Sequence, residues 1–141
     1  MPAKDIYHDT VRTALDKDGW TITHDPLIIR WGKRDLYIDL GAEKIIAAEK
    51  DNQKIAIEIK SFVGKSSIDD LEKALGQYIL YYDLLTKLKS ERTLYLAIHQ
   101  QAFADIFEDP IGQVLLDNKR LKLLKLLIFD EIEEVILRWI G

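Results

Sequence analysis

The chain of 141 residues has no cysteine, one methionine, three prolines and three histidines. Without cysteine there are no disulfides, no thiolate zinc site and no cysteine nucleophile, a composition that fits a reducing compartment. The histidines, His8, His24 and His99, show no His-x-x-x-His spacing, which argues against a histidine-rich metal site. No apolar run approaches the roughly 18 residues needed to span a bilayer. The opening Met1-Pro2-Ala3-Lys4-Asp5 carries no signal-peptide core, so a cytoplasmic protein with no membrane association is expected. A net charge of −4 argues against a protein that coats nucleic acid non-specifically, but leaves room for a local basic groove. An apolar fraction of 48% and a charged fraction of 31% are those of a globular protein. The length suits one domain, spanning 1–141, around one core.

What is present centres on Lys54-Ile55-Ala56-Ile57-Glu58-Ile59-Lys60-Ser61. Strand side chains repeat every two residues, so Ile55, Ile57 and Ile59 share a core-facing side. Lys54, Ala56, Glu58 and Lys60 share the other, which is expected to face solvent. Asp35 to Leu40 alternates likewise, with Leu36, Ile38 and Leu40 inward and Asp39 on the polar side. Asp51-Asn52 has hairpin chemistry. An even-numbered loop there would set Ala48 against Ile55, Ile46 against Ile57, Glu49 against Lys54, Ile45 against Glu58 and Glu43 against Lys60. A helix over 43–50 is the competing local reading; the alternation beyond the turn favours the hairpin.

Elsewhere, residues 5–18 read as a helix capped by Asp5, with Tyr7, Val11, Ala14 and Leu15 inward and Gly19 as its stop. His8 lies at the border of that stripe: either a partly buried, hydrogen-bonded residue or one overlooking the polar strand face. Residues 20–23 read as a short strand or extended connection. Leu27–Trp31 reads as a strand, and Gly32-Lys33 as the turn returning towards Asp39. Ser67-x-x-Asp70 opens a long helix over 68–88 with Ile68, Leu71, Leu75, Tyr78, Tyr82 and Leu85 inward. Gln77 and Tyr81 lie on its flank with Asp70 and Ala74. A strand over 93–98, short helices over 100–108 and 111–119, and strands over 123–129 and 134–140 complete a mixed sheet with helices on both sides.

Asp39 and Glu58, with the Ile59 carbonyl, are oxygen donors of the kind magnesium takes, and Glu43 is a rival or supplementary ligand. A metal held there would polarise a phosphate and acidify a bound water. Lys60, one pleat further along, could orient that water or stabilise charge building on the phosphate. Such a set suits phosphodiester hydrolysis. Taken alone, Glu-x-Lys is equally the pattern of a solvated strand edge with a weak cross-strand ion pair.

Asp39 followed by Glu58-x-Lys60 resembles the PD-(D/E)xK nuclease superfamily, and Gln77-x-x-x-Tyr81 is similar to a motif of its RecB-like branches. Ile38 replaces the proline that precedes the Asp, and the first helix lacks an inward Glu, for which His8 is the nearest substitute. A resemblance covering essentially the whole chain is to the XisH family, the fdxN element excision controlling factors of cyanobacteria. It rests on Ala3-Lys4-Asp5-x-x-His8-x-x-Val11-Arg12-x-Ala14-Leu15, Asp18-Gly19-Trp20, Asp25-Pro26-Leu27, Asp39-Leu40-Gly41-Ala42-Glu43, Ala47-Ala48-Glu49-Lys50, Ile57-Glu58-Ile59-Lys60-Ser61-Phe62 and Trp139-Ile140. The two resemblances imply an α/β (α+β) restriction-endonuclease-like fold with an αβββαβ core. They also imply a role in excising a DNA element during heterocyst development, with an XisI-like protein and a site-specific recombinase as partners. The site they imply uses Mg2+ or Mn2+ on Asp39 and Glu58, with Lys60, Gln77 and Tyr81 around it; Glu43, from the strand register, and His8 are secondary candidates.

Three functions remain open at this point. One is a metal-dependent DNA endonuclease or nickase, a homodimer where both strands of a duplex are cut. Another is a non-catalytic nuclease-like module that binds DNA or protein, which the acidic net charge favours. The third is a structural hairpin with solvated charges. Basic groups that could meet DNA are Lys33, Arg34, Lys60 and Lys65 near the site, and Lys119, Arg120, Lys122 and Lys125 elsewhere.

Overall fold

The computed structural model describes residues 5–45, 52–129 and 134–141. At its centre is a six-stranded mixed sheet in the order β1 (Thr21–His24), β4 (Leu40–Ile45), β5 (Asn52–Ile59), β6 (Thr93–His99), β7 (Leu123–Phe129), β8 (Glu134–Ile140). Its middle pairs β5–β6 and β6–β7 are parallel; the outer pairs are antiparallel. Parallel neighbours need long crossovers. Helix α2 (Ser67–Lys87) makes the first. A short helix α3 (Gln100–Ala102), a π-helical turn at Phe103–Phe107 and helix α4 (Pro110–Asp117) make the second.

Strands of this kind are covered on both faces. The odd-numbered isoleucines of β5 pack with Val11 and Leu15 of helix α1 (His8–Lys17) and with Trp20, Leu40 and Tyr95. Ala56 on the opposite face packs with Leu71, Ala74 and Tyr78 of α2. The expected solvent-facing side of β5 is therefore a second interior: Ala56 is fully buried and Glu58 only 5% exposed.

A separate hairpin, β2 (Leu27–Trp31) and β3 (Arg34–Ile38), lies on the α2 side. Its turn is the expected Gly32-Lys33, with Gly32 at φ +62°, a conformation that favours glycine at the first position of a two-residue loop. Ile29 and Ile38 join the α2 cluster, and Leu27 and Leu36 pack against it. One residue later Leu40 packs in the α1 cluster. The segment 35–40, expected as one alternating strand, breaks at Asp39, where the chain passes from the hairpin into the main sheet.

Several other expectations change. β4 and β5 pair as anticipated, but Glu43 lies opposite Lys54 rather than Lys60, six residues earlier, and Leu40 lies opposite Ile57. An even slip leaves every side chain on its expected face, so alternation could not distinguish the two registers. The stretch 46–51, including Asp51 of the expected turn and the partners assigned to Ile46, Ala48 and Glu49, lies outside the described residues. Helix α1 begins at His8 rather than residue 5, although Asp5 still accepts a 2.9 Å hydrogen bond from the Tyr7 N–H. Helix α2 is capped by Ser66, whose hydroxyl accepts from the Asp69 N–H; Asp70 instead holds the Gly64 N–H at 2.9 Å. The buried side of α2 is rotated towards Ala74 and Tyr81, leaving Ile68 42% and Tyr82 54% exposed. The segment over 134–140 is the expected returning strand, antiparallel to β7. Among the described residues no helix is long and apolar enough to cross a membrane.

Candidate active site

The register of β4 on β5 builds the site. Asp39 directly precedes Leu40, the partner of Ile57, and its carboxyl comes together with that of Glu58 in one recess. Asp39 Oδ2 accepts a 2.7 Å hydrogen bond from the Ile59 N–H, which fixes the carboxylate beside the strand. A recess of about 170 Å³ opens there, lined by Asp39, Glu58, Lys60, Gln77, Tyr81 and Tyr37, together with Asp5 and Ile59. Gln77 and Tyr81 reach it because residues four apart share a face of α2.

Burial pushes the Glu58 carboxyl up to about 9, reinforced by its hydrogen bond to Asp39 and by that carboxylate's charge; Lys60 opposes the shift. Without a cation, Glu58 therefore holds a proton at neutral pH. The Tyr81 phenol is raised to about 12, first by burial and then by the charges of Glu58 and Asp39, so it remains a donor. Gln77 Oε1 is buried with no hydrogen-bond partner among the described residues. A buried acceptor of this kind fits a donor such as water or a bound ligand.

These features fit a small divalent cation. Magnesium takes one or two protein carboxylates and keeps several waters. A cation between Asp39 and Glu58 would take the place of the Glu58 proton, and an aqua ligand could donate to Gln77. Among the described residues no three His, Asp or Glu side chains cluster to hold a metal between them, so the fit is to a water-rich site with two carboxylates.

Two residues expected at the site stand away from it. Glu43 sits four positions along β4 from Asp39, roughly 13 Å at the strand rise, paired in register with Thr21 and Lys54. The changed register moved it. His8 is buried, and its Nε2 lies 2.8 Å from Asp25 Oδ1, while Arg12 bonds the other oxygen of the same carboxylate. Burial alone would raise the Asp25 carboxyl; Arg12 and His8 outweigh it and hold the group below its usual range. His8 thus ties α1 to the β1–β2 connection and does not line the recess.

Sequence reasoning missed Asp5 and His99. Asp5 Oδ2 accepts from the Ser61 N–H at 3.1 Å, and its side chain lines the recess. His99 Nδ1 accepts from the Ala102 N–H, which leaves Nε2 to donate to the Ser61 carbonyl at 2.9 Å. Ser61, immediately after Lys60, is thereby held from both sides. The adjacency of β5 and β6, whose ends carry Ser61 and His99, would have suggested this contact had the parallel pairing been known.

The XisH protein family model matches residues 1–137. An XisH family protein from Nostoc punctiforme PCC 73102 is similar in structure, with a TM-score of 0.81, 35% identity, and coverage of 97% of this chain and 100% of that one. An fdxN element excision controlling factor protein from Anabaena variabilis has a TM-score of 0.81 at 36% identity, covering 98% of this chain and 100% of its own. Among curated proteins none matches. On the family match and the whole-length likeness of these two structures, this chain belongs to the XisH family.

Proposed function

We propose that the protein is a metal-dependent DNA endonuclease of the PD-(D/E)xK kind, acting in excision of a DNA element. The observation that supports this reading best is the convergence of Asp39, Glu58, Lys60, Gln77 and Tyr81 on one recess. Asp39 and Glu58 would hold Mg2+ or Mn2+, which when bound supplies a Lewis acid for a phosphate oxygen and an acidified water.

Hydrolysis forms a bond from the water oxygen to phosphorus and breaks the bond from phosphorus to one sugar oxygen. The water gives up a proton and the departing oxygen gains one, so no redox partner is required. Lys60 offers three donors at the rim, to orient the water or to neutralise charge on the phosphoryl oxygens. Tyr81, protonated at neutral pH, donates to the same group, and Gln77 positions a water or the strand. Proposed partners are DNA, an XisI-like protein and a site-specific recombinase, with a homodimer where both strands are cut.

The test is cleavage of supercoiled plasmid and branched DNA in magnesium or manganese, comparing wild type with Lys60→Ala, with and without an XisI-like partner. Metal-dependent nicking lost in the variant is expected. Its absence under every condition, with partner binding retained by the variant, would leave a nuclease-like scaffold, the reading that the acidic net charge of −4 favours.

A further inference from the structure

The β2–β3 hairpin is a structure of its own, outside the main sheet, and a two-stranded hairpin is marginal unless something packs on it. Leu27, Ile29, Leu36 and Ile38 supply that packing at its base. Among the described residues nothing comparable holds its tip. Trp31 is 46% exposed, and Arg30, Lys33 and Arg34 beside it are exposed too. From Arg30 to Arg34 the chain carries three cations and no acid, in a protein whose net charge is −4. Arg30 makes only a loose 3.7 Å contact with Asp35, and no ion pair involves Lys33 or Arg34 among the described residues.

The other end of the hairpin is at the candidate active site. Tyr37 of β3 lines the recess, and Asp39 follows the strand directly. On the Tyr37 face, Ile28 is its cross-strand partner and the next outward pair is Arg30 with Asp35, whereas Trp31 and Arg34 extend the Ile29–Leu36 face beyond its packing on α2. From Asp39 to the Trp31–Arg34 pair is five residues, or roughly 16 Å at the strand rise. A DNA strand advances about 3.4 Å per nucleotide. An arm of that length spans several nucleotides beyond a phosphate held between Asp39 and Lys60.

The geometry points to the hairpin as a DNA-gripping arm: Arg30, Lys33 and Arg34 around its tip meet phosphates beyond the reacting one, and Trp31 packs against sugar or base. Charge complementarity selects a polyanion, and the continuity of the arm with the recess selects one that extends from the site. An exposed tryptophan among cations is the combination that binds a nucleic-acid strand through stacking and phosphate contact together. This inference deepens the nuclease reading and rests on it for the position of the reacting phosphate.

The experiment is fluorescence anisotropy of the full chain with a short fluorescein-labelled DNA duplex, in calcium to suppress cleavage, over a range of salt. The Lys33→Ala/Arg34→Ala pair should weaken binding about tenfold and lower the slope of log affinity against log salt by about 2. Lys17→Ala/Lys87→Ala, two exposed lysines in the last turns of α1 and α2, should bind as wild type does. DNA should quench tryptophan emission in wild type and much less in Trp31→Phe. Equal binding by the Lys33/Arg34 pair and wild type, or no binding by wild type, overturns the arm. Cleavage that requires Lys60 but ignores the hairpin keeps the nuclease and rejects the arm; hairpin-dependent binding without cleavage does the reverse.

Discussion

The carboxyls of Asp39 and Glu58 meet beside the Leu40–Ile57 pair, with Asp39 locked onto the Ile59 N–H at 2.7 Å. Two carboxylates held this way in a buried place cannot both be charged without cost. The fold resolves the conflict by leaving the proton on Glu58 up to about pH 9. Binding a divalent cation must then expel that proton.

Metal affinity should therefore rise with pH, by up to about tenfold per unit, and level off above about pH 9. Calorimetry in buffers of different ionisation enthalpy would count the proton released. In Glu58→Gln binding should be weaker and nearly independent of pH. A flat profile in wild type would show that Glu58 is already ionised.

The same proton sets a stability slope. In the unfolded chain Glu58 ionises near 4.5, whereas in the fold it stays neutral up to about 9, so the folded state binds more protons across that window. The residue's contribution is therefore greatest below pH 4.5 and falls as pH rises through that window. Metal-free Glu58→Gln should unfold at higher denaturant than wild type at pH 8, with the gap closing towards pH 5. Parallel curves for the two proteins across this range would refute the assignment.

Tyr81 offers a contrasting test, because its phenol titrates only at about 12. Tyr81→Phe should lower cleavage about tenfold while leaving the shape of the pH–rate profile between 7 and 10 unchanged. A phenylalanine variant whose profile lost a limb in that range would mean that the phenol itself exchanges a proton during the reaction.

How much of this was legible in the sequence depends on which signal was read. Alternation identified β5, and its isoleucines do face a core. It did not reveal that the other face is interior as well, because Ala56, Glu58 and Lys60 look like a polar edge until α2 and the hairpin cover them. The face that carries Asp39 was readable; its partner was not, since a six-residue slip preserves every in-and-out assignment and only the turn fixes register. That slip explains both why Asp39 meets Glu58 and why Glu43 does not. In α2 the large residues Ile68 and Tyr82 suggested the wrong inward face, whereas the small Ala74 and the flank residue Tyr81 take it. Asp5 reads as a helix cap from local pattern, and only the tertiary fold brings it to Ser61.

The Ser61 clamp leads to the last prediction. Lys60 is tied to β6 by its own N–H on the Ala97 carbonyl at 3.1 Å, and beyond it Ser61 donates to Asp5 and accepts from His99. The chain leaves the strand here towards Phe62, which has a positive φ of 54°, so the clamp restrains the turn that follows Lys60. Removing one of these bonds costs stability only modestly, about 1 kcal/mol, yet displacement of the Lys60 ammonium by an ångström can cost far more in rate. His99→Ala should accordingly lower kcat about tenfold or more with little change in KM for DNA. His99→Gln, which retains a donor, should recover part of the rate at a similar melting temperature. If the rate instead follows melting temperature through both variants, His99 only supports the fold; if KM rises while kcat holds, the clamp shapes DNA binding rather than the position of Lys60.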